Sequence, residues 1–154
     1  MSSEFLRAPL SQELERALRQ IATPRTIPQG AALFRQGTPA AGLYLLEKGS
    51  VRVLLATPDN RNQLLEILGP GALLGLSDSM TGGSYRITAE AAEATSAGFI
   101  EARAFSDFLS THHEFCMQIV RLLSNDLHGL YRKFRSVSAH PGRPRRRALN
   151  EQLS

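Results

Sequence analysis

The sequence predicts a mainly β domain with flanking helices, and three observations lead to that fold class. Residues 25–100 consist of short apolar stretches separated by Gly, Pro, Asn or Asp, a texture typical of a β-sandwich or barrel. Residues 11–21, and the chain from residue 104 onward, instead repeat apolar side chains at helical spacing. A chain of 154 residues, 42% hydrophobic and 21% charged, has the composition of one globular domain.

The first element is a short amphipathic helix near the N-terminus. Leu14, Leu18 and Ile21 stand at positions i, i+4 and i+7, so they share one helix face. The dipeptide Thr23–Pro24 ends the pattern, because the residue before a proline is disfavoured in a helix. We therefore assign residues 1–24 to an N-terminal helical segment.

The β region, residues 25–103, contains six apolar stretches that we predict as strands. Two polar segments, Glu47–Ser50 and Pro58–Arg61, have the composition of hairpin turns between neighbouring strands. The predicted strands are Ala32–Phe34, Leu43–Leu46, Val51–Leu55, Leu64–Leu68, Ala72–Leu74 and Gly98–Ile100.

Residues 104–137 return to helical spacing. Phe105, Phe108 and Leu109 predict a short helix, and Thr111 with Glu114 has the S/T-x-x-E form of a capping box that opens a second, long helix. Apolar residues then recur at intervals of four and three, as the seam of a coiled coil requires, which predicts a homodimer. The seam residues are Cys116, Val120, Leu123, Leu127, Leu130, Phe134 and Val137.

A second apolar stripe lies beside this seam. Phe115, Ile119 and Leu122 repeat at helical spacing and are predicted to bind the long helix to its own β domain.

The basic residues are concentrated at the C-terminus. Residues 132–154 carry seven Lys or Arg and one acid, whereas residues 1–131 carry 11 and 13. We expect residues 138–154 to form a basic, flexible tail, either simply solvated or in contact with a polyanion. Non-specific nucleic-acid binding would use Arg132, Lys133, Arg135, Arg143, Arg145, Arg146 and Arg147.

Composition argues against several classes of protein. The single cysteine, Cys116, excludes a disulfide framework and a cysteine-held iron–sulfur cluster, and the absence of His from residues 25–100 argues against a metalloenzyme of the cupin type. Ser77, Ser79 and Ser84 have no histidine nearby in sequence, so we expect neither catalysis nor a metal site. No apolar run approaches the ~18 residues of a membrane span, and no signal peptide is evident, so we expect a cytoplasmic protein without membrane contact.

Four blocks, in order, resemble the cyclic-nucleotide-binding domain of the Crp/Fnr transcription regulator superfamily. Ile27–Gly37 resembles the first signature of its β-roll, and Leu43–Val53 resembles its next hairpin. Leu68–Gly75 is similar to the lead-in to its phosphate-binding cassette, and the long helix resembles its dimerisation helix. The resemblance implies a double-stranded jelly-roll-like β-roll over residues 25–103, a cassette-like element over residues 69–91 and a dimerisation helix.

The resemblance also implies a ligand site around Gly75, where free N–H groups at the start of a helical turn would face an anion. In cAMP-binding members an acid follows this glycine and an Arg holds the phosphate; here Leu76 and Tyr85 stand at those positions. Arg86, one residue along, faces the other side of a strand. The candidate ligand-binding residues are Leu74, Gly75, Leu76, Ser77, Ser84, Tyr85, Arg86 and Thr88.

Together these observations predict the effector-sensing and dimerisation domain of a Crp/Fnr-like transcriptional regulator. The effector is either cAMP, bound weakly, or a different small anion; no other cofactor is expected. No segment after Val137 predicts a helix-turn-helix, so we expect DNA contact only through a motif absent from this chain, or non-specifically through the basic tail. The alternative is a stand-alone or degenerate module that acts through protein partners.

Overall fold

Two antiparallel sheets and their flanking helices make up the fold in the computed structural model, which describes residues 5–6 and 10–123. The strands of this part of the chain are β1 (Phe5–Leu6), β2 (Thr23–Ile27), β3 (Ala32–Phe34), β4 (Gly42–Lys48), β5 (Val51–Ala56), β6 (Asn62–Leu68), β7 (Leu73–Leu74), β8 (Thr88–Ala91) and β9 (Thr95–Glu101). Its helices are α1 (Gln12–Ile21), α2 (Leu76–Thr81), α3 (Ala102–Thr111) and α4, which occupies residues 113–123.

The strands divide between a five-stranded sheet, in the order β1-β7-β4-β9-β2, and a four-stranded sheet, in the order β3-β8-β5-β6. We call these the first and the second sheet. All pairings are antiparallel, with a register shift between Leu46 and Lys48 and another between Val53 and Leu54. This architecture confirms the predicted fold class, a mainly β roll with flanking helices.

Helix α1 forms as predicted, and its start and its apolar face explain why. The side-chain oxygen of Ser11 accepts a hydrogen bond from Leu14 N at 3.2 Å, which satisfies one of the free N–H groups of the first turn. Leu14 and Leu18 are completely buried. The expected segment boundary at residue 24 is displaced, because β2 already begins at Thr23, and residues 1–24 also include the unpredicted strand β1.

All six predicted strands are present, and the two larger ones that the prediction missed lack an apolar signature. Strand β2 has four exposed residues of five and includes Pro24, which its place at the edge of the first sheet tolerates. Strand β8 alternates, but its buried side chains are only Ala89 and Ala91. Because their side chains are small or exposed, neither strand has an apolar pattern from which it could be predicted.

One predicted hairpin is confirmed and the other is wrong. Thr57 N donates to Arg61 O at 2.7 Å across the turn between β5 and β6, and Asn60 adopts a φ of 65° there. The turn Glu47–Ser50, by contrast, joins β4 of the first sheet to β5 of the second, and these two strands do not pair with each other. This turn therefore carries the chain from the first sheet to the second.

The core consists of two clusters on opposite faces of the first sheet. Tyr44 and Leu46 of β4 point into the roll between the sheets, where they join Phe34, Val53 and Ile87. Their neighbours on β4, Leu43 and Leu45, belong to the cluster formed with the helices. That outer cluster also contains Leu14, Leu18, Leu76, Ile100, Phe105, Phe108 and Ile119.

The junction between α3 and α4 differs from the prediction. Thr111 is the last residue of α3, and its hydroxyl donates to carbonyl oxygens in that helix, those of Asp107 and Phe108. The single residue His112 then separates the helices, and its carbonyl accepts from Cys116 N at 3.0 Å. The predicted capping box at Thr111 is therefore wrong, because α3 already engages that hydroxyl.

Helix α4 attaches to the roll as its second apolar stripe predicted. Ile119 is only 3% exposed, and Phe115 and Leu122 pack against the same outer cluster. Of the predicted dimer seam, Cys116 is half-buried, Val120 is 50% exposed and Leu123 packs partly against its own domain. Leu127, Leu130, Phe134 and Val137 lie outside the described residues, as does the basic tail, so the dimer stays a prediction.

We predict that Gly49→Ala destabilises the fold more than Gly37→Ala. Both glycines have a φ of 91°, where a side chain costs roughly 1–2 kcal/mol. A Cβ at Gly49 would in addition lie 2.5 Å from Thr95 Oγ1 and 2.7 Å from Ala94 O, whereas Gly37 has open space. Urea unfolding followed by circular dichroism measures the difference, expected at about 1–3 kcal/mol from overpacking. Equal losses would show that the turn between the sheets is not tightly packed.

Candidate functional site

The cassette-like element is a six-residue helix with a left-handed glycine at each end. Gly75 precedes α2 with a φ of 80°, and Gly82 follows it with a φ of 75°. Such backbone conformations favour glycine, which has no Cβ to clash with the carbonyl. The two glycines allow the chain to leave β7, form one and a half turns of helix and reverse towards β8.

Tyr85 fills the interior of the roll beside this element. Its ring stacks on Phe34, with centroids 4.0 Å apart and planes 17° from parallel. Its hydroxyl donates to Gly42 O at 2.5 Å and accepts from Gly42 N at 3.3 Å. A Cβ built on Gly75 would lie 3.0 Å from the Tyr85 ring, so ring and cassette glycine are in close contact.

The surroundings keep this phenol neutral. Burial raises the pKa of Tyr85 above its ordinary value, and the hydrogen bond that Gly42 N donates to the phenol oxygen only partly opposes that shift. Burial likewise raises the pKa of Tyr44, against the opposing effect of the Arg25 guanidinium. The interior of the roll next to Gly75 is therefore lined by neutral aromatic side chains.

Asp78 is a buried carboxylate that joins α2 to the segment leading into β8. It is 2% exposed, and each of its oxygens contacts a nitrogen of Arg86. Oδ1 lies 3.1 Å from Arg86 Nε in an ion pair, and Oδ2 accepts a hydrogen bond from Arg86 N at 3.1 Å. A buried charge is costly unless it is paired and hydrogen-bonded, and Arg86 meets both conditions.

Sequence reasoning missed Asp78 because nothing in the sequence connects it with Arg86. The two residues are eight positions apart and belong to no shared periodicity, since a Gly82–Gly83 turn lies between them. The only available signal was an acid within an otherwise neutral cassette, LSDSMT.

Side-chain alternation separates the predicted ligand-binding residues. Tyr85 and Ile87 point into the roll, whereas the Arg86 side chain is 63% exposed, as the period of a strand predicts. Thr88 follows Arg86 in this alternation and accepts a hydrogen bond from Gln36 N at 2.9 Å, on the outer face. The structure therefore does not bring Thr88 to the roll interior.

The remaining predicted residues also divide between different environments. Leu74 is completely buried in the roll interior together with Tyr85. Leu76 belongs instead to the outer cluster, across the first sheet. Ser77 is half-buried and Ser84 is exposed, where it bridges to Pro39. Around Gly75 the structure thus gathers only Leu74 and Tyr85 as interior neighbours from the predicted set.

Grooves, groups of metal-ligating side chains and long apolar helices would indicate other kinds of site. A groove of about 490 Å³ is lined by Leu10, Glu15 and residues 66–72, which include the first residues of the predicted cassette-like element. Within the described part of the chain, no three His, Cys, Asp or Glu side chains form a group that could hold a metal ion. Over the same residues, no helix combines the length and the apolar character needed to cross a membrane.

Comparison with known proteins identifies a family match that runs from β2 to the end of α3. Residues 24–112 match the family model described as the cyclic nucleotide-binding domain. The chain is 27% identical over 111 residues to the CRP-like cAMP-activated global transcriptional regulator of Mycobacterium tuberculosis, a match that covers 72% of this chain and 50% of that protein. The chain thus spans about half the length of that relative.

Solved structures give the same result. The Thermus thermophilus catabolite activator protein superposes with a TM-score of 0.75 at 24% identity, over 84% of this chain and 61% of that one, which shows the shared fold. The sensor domain of the transcriptional regulator DNR from Pseudomonas aeruginosa superposes with a TM-score of 0.66 at 25% identity, over 80% of this chain and 83% of that one. The chain belongs to the cyclic nucleotide-binding domain family, and its relatives are transcription regulators of the Crp/Fnr type.

Proposed function

We propose that this chain is the effector-sensing and dimerisation unit of a Crp/Fnr-type transcription regulator. The observation that carries the proposal is the two-sided character of α4. Ile119 fixes the helix to the roll, while the adjacent Val120 leaves half of its surface exposed on the predicted seam. A helix with one apolar stripe bound to its own domain and another exposed suits a partner helix.

The cassette is connected to α4 through the outer cluster. Leu76, the first residue of α2, belongs to the same buried cluster as Phe108 of α3 and Ile119 of α4. Gln118 of α4 accepts a further hydrogen bond from the Ser11 hydroxyl at 2.9 Å. A change in the position of α2 on effector binding would therefore alter the packing of α4, which is the regulatory rather than enzymatic role we propose.

The proposed effector is a small anion, and cAMP is expected to bind weakly. The Mycobacterium tuberculosis relative is described as cAMP-activated. In this chain Leu76 is apolar and packs outside the roll, and Tyr85 is uncharged with its hydroxyl bonded to Gly42, so neither supplies the charged contacts that the family resemblance assigns to ribose and phosphate. Sequence-specific DNA contact would require a helix-turn-helix, a motif that residues 1–154 do not predict.

A second candidate is a degenerate module that acts through protein partners without any effector. The observation that favours it is the Tyr85 ring, which stacks on Phe34 and contacts Gly75 inside the roll. Effector titration separates the two candidates, because only the first requires a small molecule.

We predict that cAMP and cGMP bind to this chain with dissociation constants above ~10 μM. Each lost hydrogen bond to a charged group weakens binding by about 1.5–3 kcal/mol, and two such contacts are missing. Isothermal titration calorimetry measures both affinities. Sub-micromolar binding of either nucleotide would contradict the prediction, and complete absence of binding of any small anion would favour the degenerate module.

We predict that Val120→Glu converts a dimer to a monomer while the fold is retained. Val120 is half-exposed in the single chain, so the carboxylate stays hydrated in the monomer but would be buried in the seam. Sedimentation velocity at micromolar concentration reports the change. Arg121→Glu is the matched control, since it places the same carboxylate on the next, exposed position of α4. A wild-type monomer, or a dimer that withstands Val120→Glu, would contradict the proposed seam.

A further inference from the structure

We propose that Asp78 is a built-in anion that occupies the Nε and the backbone N–H of Arg86, so that a phosphate-bearing effector must displace it to bind these two groups. The inference rests on the proposed sensing function and assigns a specificity-determining role to a pair of residues outside the family positions at Leu76 and Tyr85. In the absence of effector, the Asp78 carboxylate contacts Arg86.

The geometry of the pair resembles the binding of an oxyanion. One oxygen of the Asp78 carboxylate accepts a hydrogen bond from the backbone N of Arg86, and the other forms an ion pair with its side-chain Nε, each at 3.1 Å. Guanidinium and backbone N–H groups are donors that also suit phosphate oxygens. Asp78 therefore offers Arg86 the same charge and a similar arrangement of acceptors.

Burial distinguishes this pair from a surface ion pair. Asp78 is 2% exposed, whereas the side chain of Arg86 is 63% exposed. The acceptor is thus fixed inside the protein, while part of the guanidinium remains in reach of solvent and of a ligand. An anion that arrives from solvent and binds the Nε and the backbone N–H of Arg86 would compete with a carboxylate that is already in place.

The position of Asp78 connects this competition with the rest of the fold. Asp78 lies in the middle of α2, two residues after Leu76, which packs in the outer cluster with α3 and α4. Its backbone carbonyl also accepts from Gly83 N at 3.3 Å and from the Thr81 hydroxyl at 3.3 Å. Release of the Asp78 carboxylate would therefore break the contacts between α2 and Arg86. Because α2 also packs in the outer cluster through Leu76, its position there would change.

The pairing with Asp78 also determines which anions can bind Arg86, whose side chain is directed away from the roll interior. An unpaired guanidinium near a cassette would attract any phosphate, whereas one that is already paired admits only an anion that binds it more tightly than Asp78 does. The ligand class that meets this requirement is a nucleotide phosphate ester. Its phosphate would bind Arg86, and its base and sugar would supply the additional contacts.

The test compares nucleotide affinities of variants that remove the competing charge. Asp78→Asn keeps the shape of the side chain but not its charge, and Asp78→Ser is the second variant in case the amide disturbs the fold. Calorimetry with cAMP should show affinity at least tenfold higher than in the wild type. Adenosine, which lacks the phosphate, should show no gain.

Two controls separate the proposed competition from other effects. Asp59→Asn removes the same charge from an exposed turn, where Asp59 pairs with Arg61 at 3.6 Å, and should leave cAMP affinity unchanged. The double variant Asp78→Asn, Arg86→Gln should lose the gain, because the guanidinium that the phosphate would bind is absent.

Several outcomes would overturn the inference. These are unchanged cAMP affinity in folded Asp78→Asn and Asp78→Ser proteins, an equal gain for adenosine, or a gain that persists without the Arg86 guanidinium. In the wild-type protein, the backbone amide resonance of Arg86 should shift as cAMP is added to millimolar concentration; shifts elsewhere that leave Arg86 unmoved would also overturn it. The dimer seam is tested separately through Val120, so either idea can fail without the other.

Discussion

The fold depends on the burial of both faces of strand β4. Residues 42–46 are all buried, with Tyr44 and Leu46 in the roll and Leu43 and Leu45 beneath the helices. A strand in such a position must have apolar neighbours on each side, because neither face can be left in water. The second sheet covers one face, and α1, α3 and α4 cover the other, so the helices complete the core.

The same arrangement connects the segment around α2 with both sides of the first sheet. Helix α2 follows β7, which pairs with β4, and it places Leu76 in the outer cluster, whereas Leu74 before the helix and Tyr85 after it lie in the roll interior. The segment that contains α2 thus contributes side chains to both cores. Because protein interiors are closely packed, a shift of this segment would affect the packing of each.

The sequence predicted the elements that carry large apolar side chains and missed those that do not. The six apolar strands, α1 and α3 are present, whereas β2 and β8 rely on pairing with β9 and β5 rather than on bulky residues of their own. The Glu47–Ser50 turn was recognised as a reversal, but turn composition does not determine whether the strands it joins pair. That outcome depends on which strands are neighbours in each sheet.

The site was predicted to a similar extent. Strand periodicity predicted that Arg86 and Tyr85 lie on opposite sides, and in the structure Tyr85 is buried while Arg86 is exposed, just before β8 begins. The partner of Arg86 was not predictable, because Asp78 reaches it across a two-glycine turn whose geometry no periodicity encodes. The same limit applies to the hydrogen bonds of Tyr85 with Gly42, 43 residues away in the chain.

The one-residue junction at His112 gives α4 the properties of a lever. The rings of His112, Phe108 and Phe115 pack against one another, with the His112 centroid 4.4 Å from Phe108 and 5.8 Å from Phe115 and the two Phe centroids 5.8 Å apart, so the junction is closely packed. Residues 113–123 extend about 16 Å from this pivot at the usual helical rise. A tilt of about 10° in α3 would accordingly displace the far end of that arm by about 3 Å, roughly half of one helical pitch. A small angular change at this junction would thus become a displacement comparable to the width of a side chain.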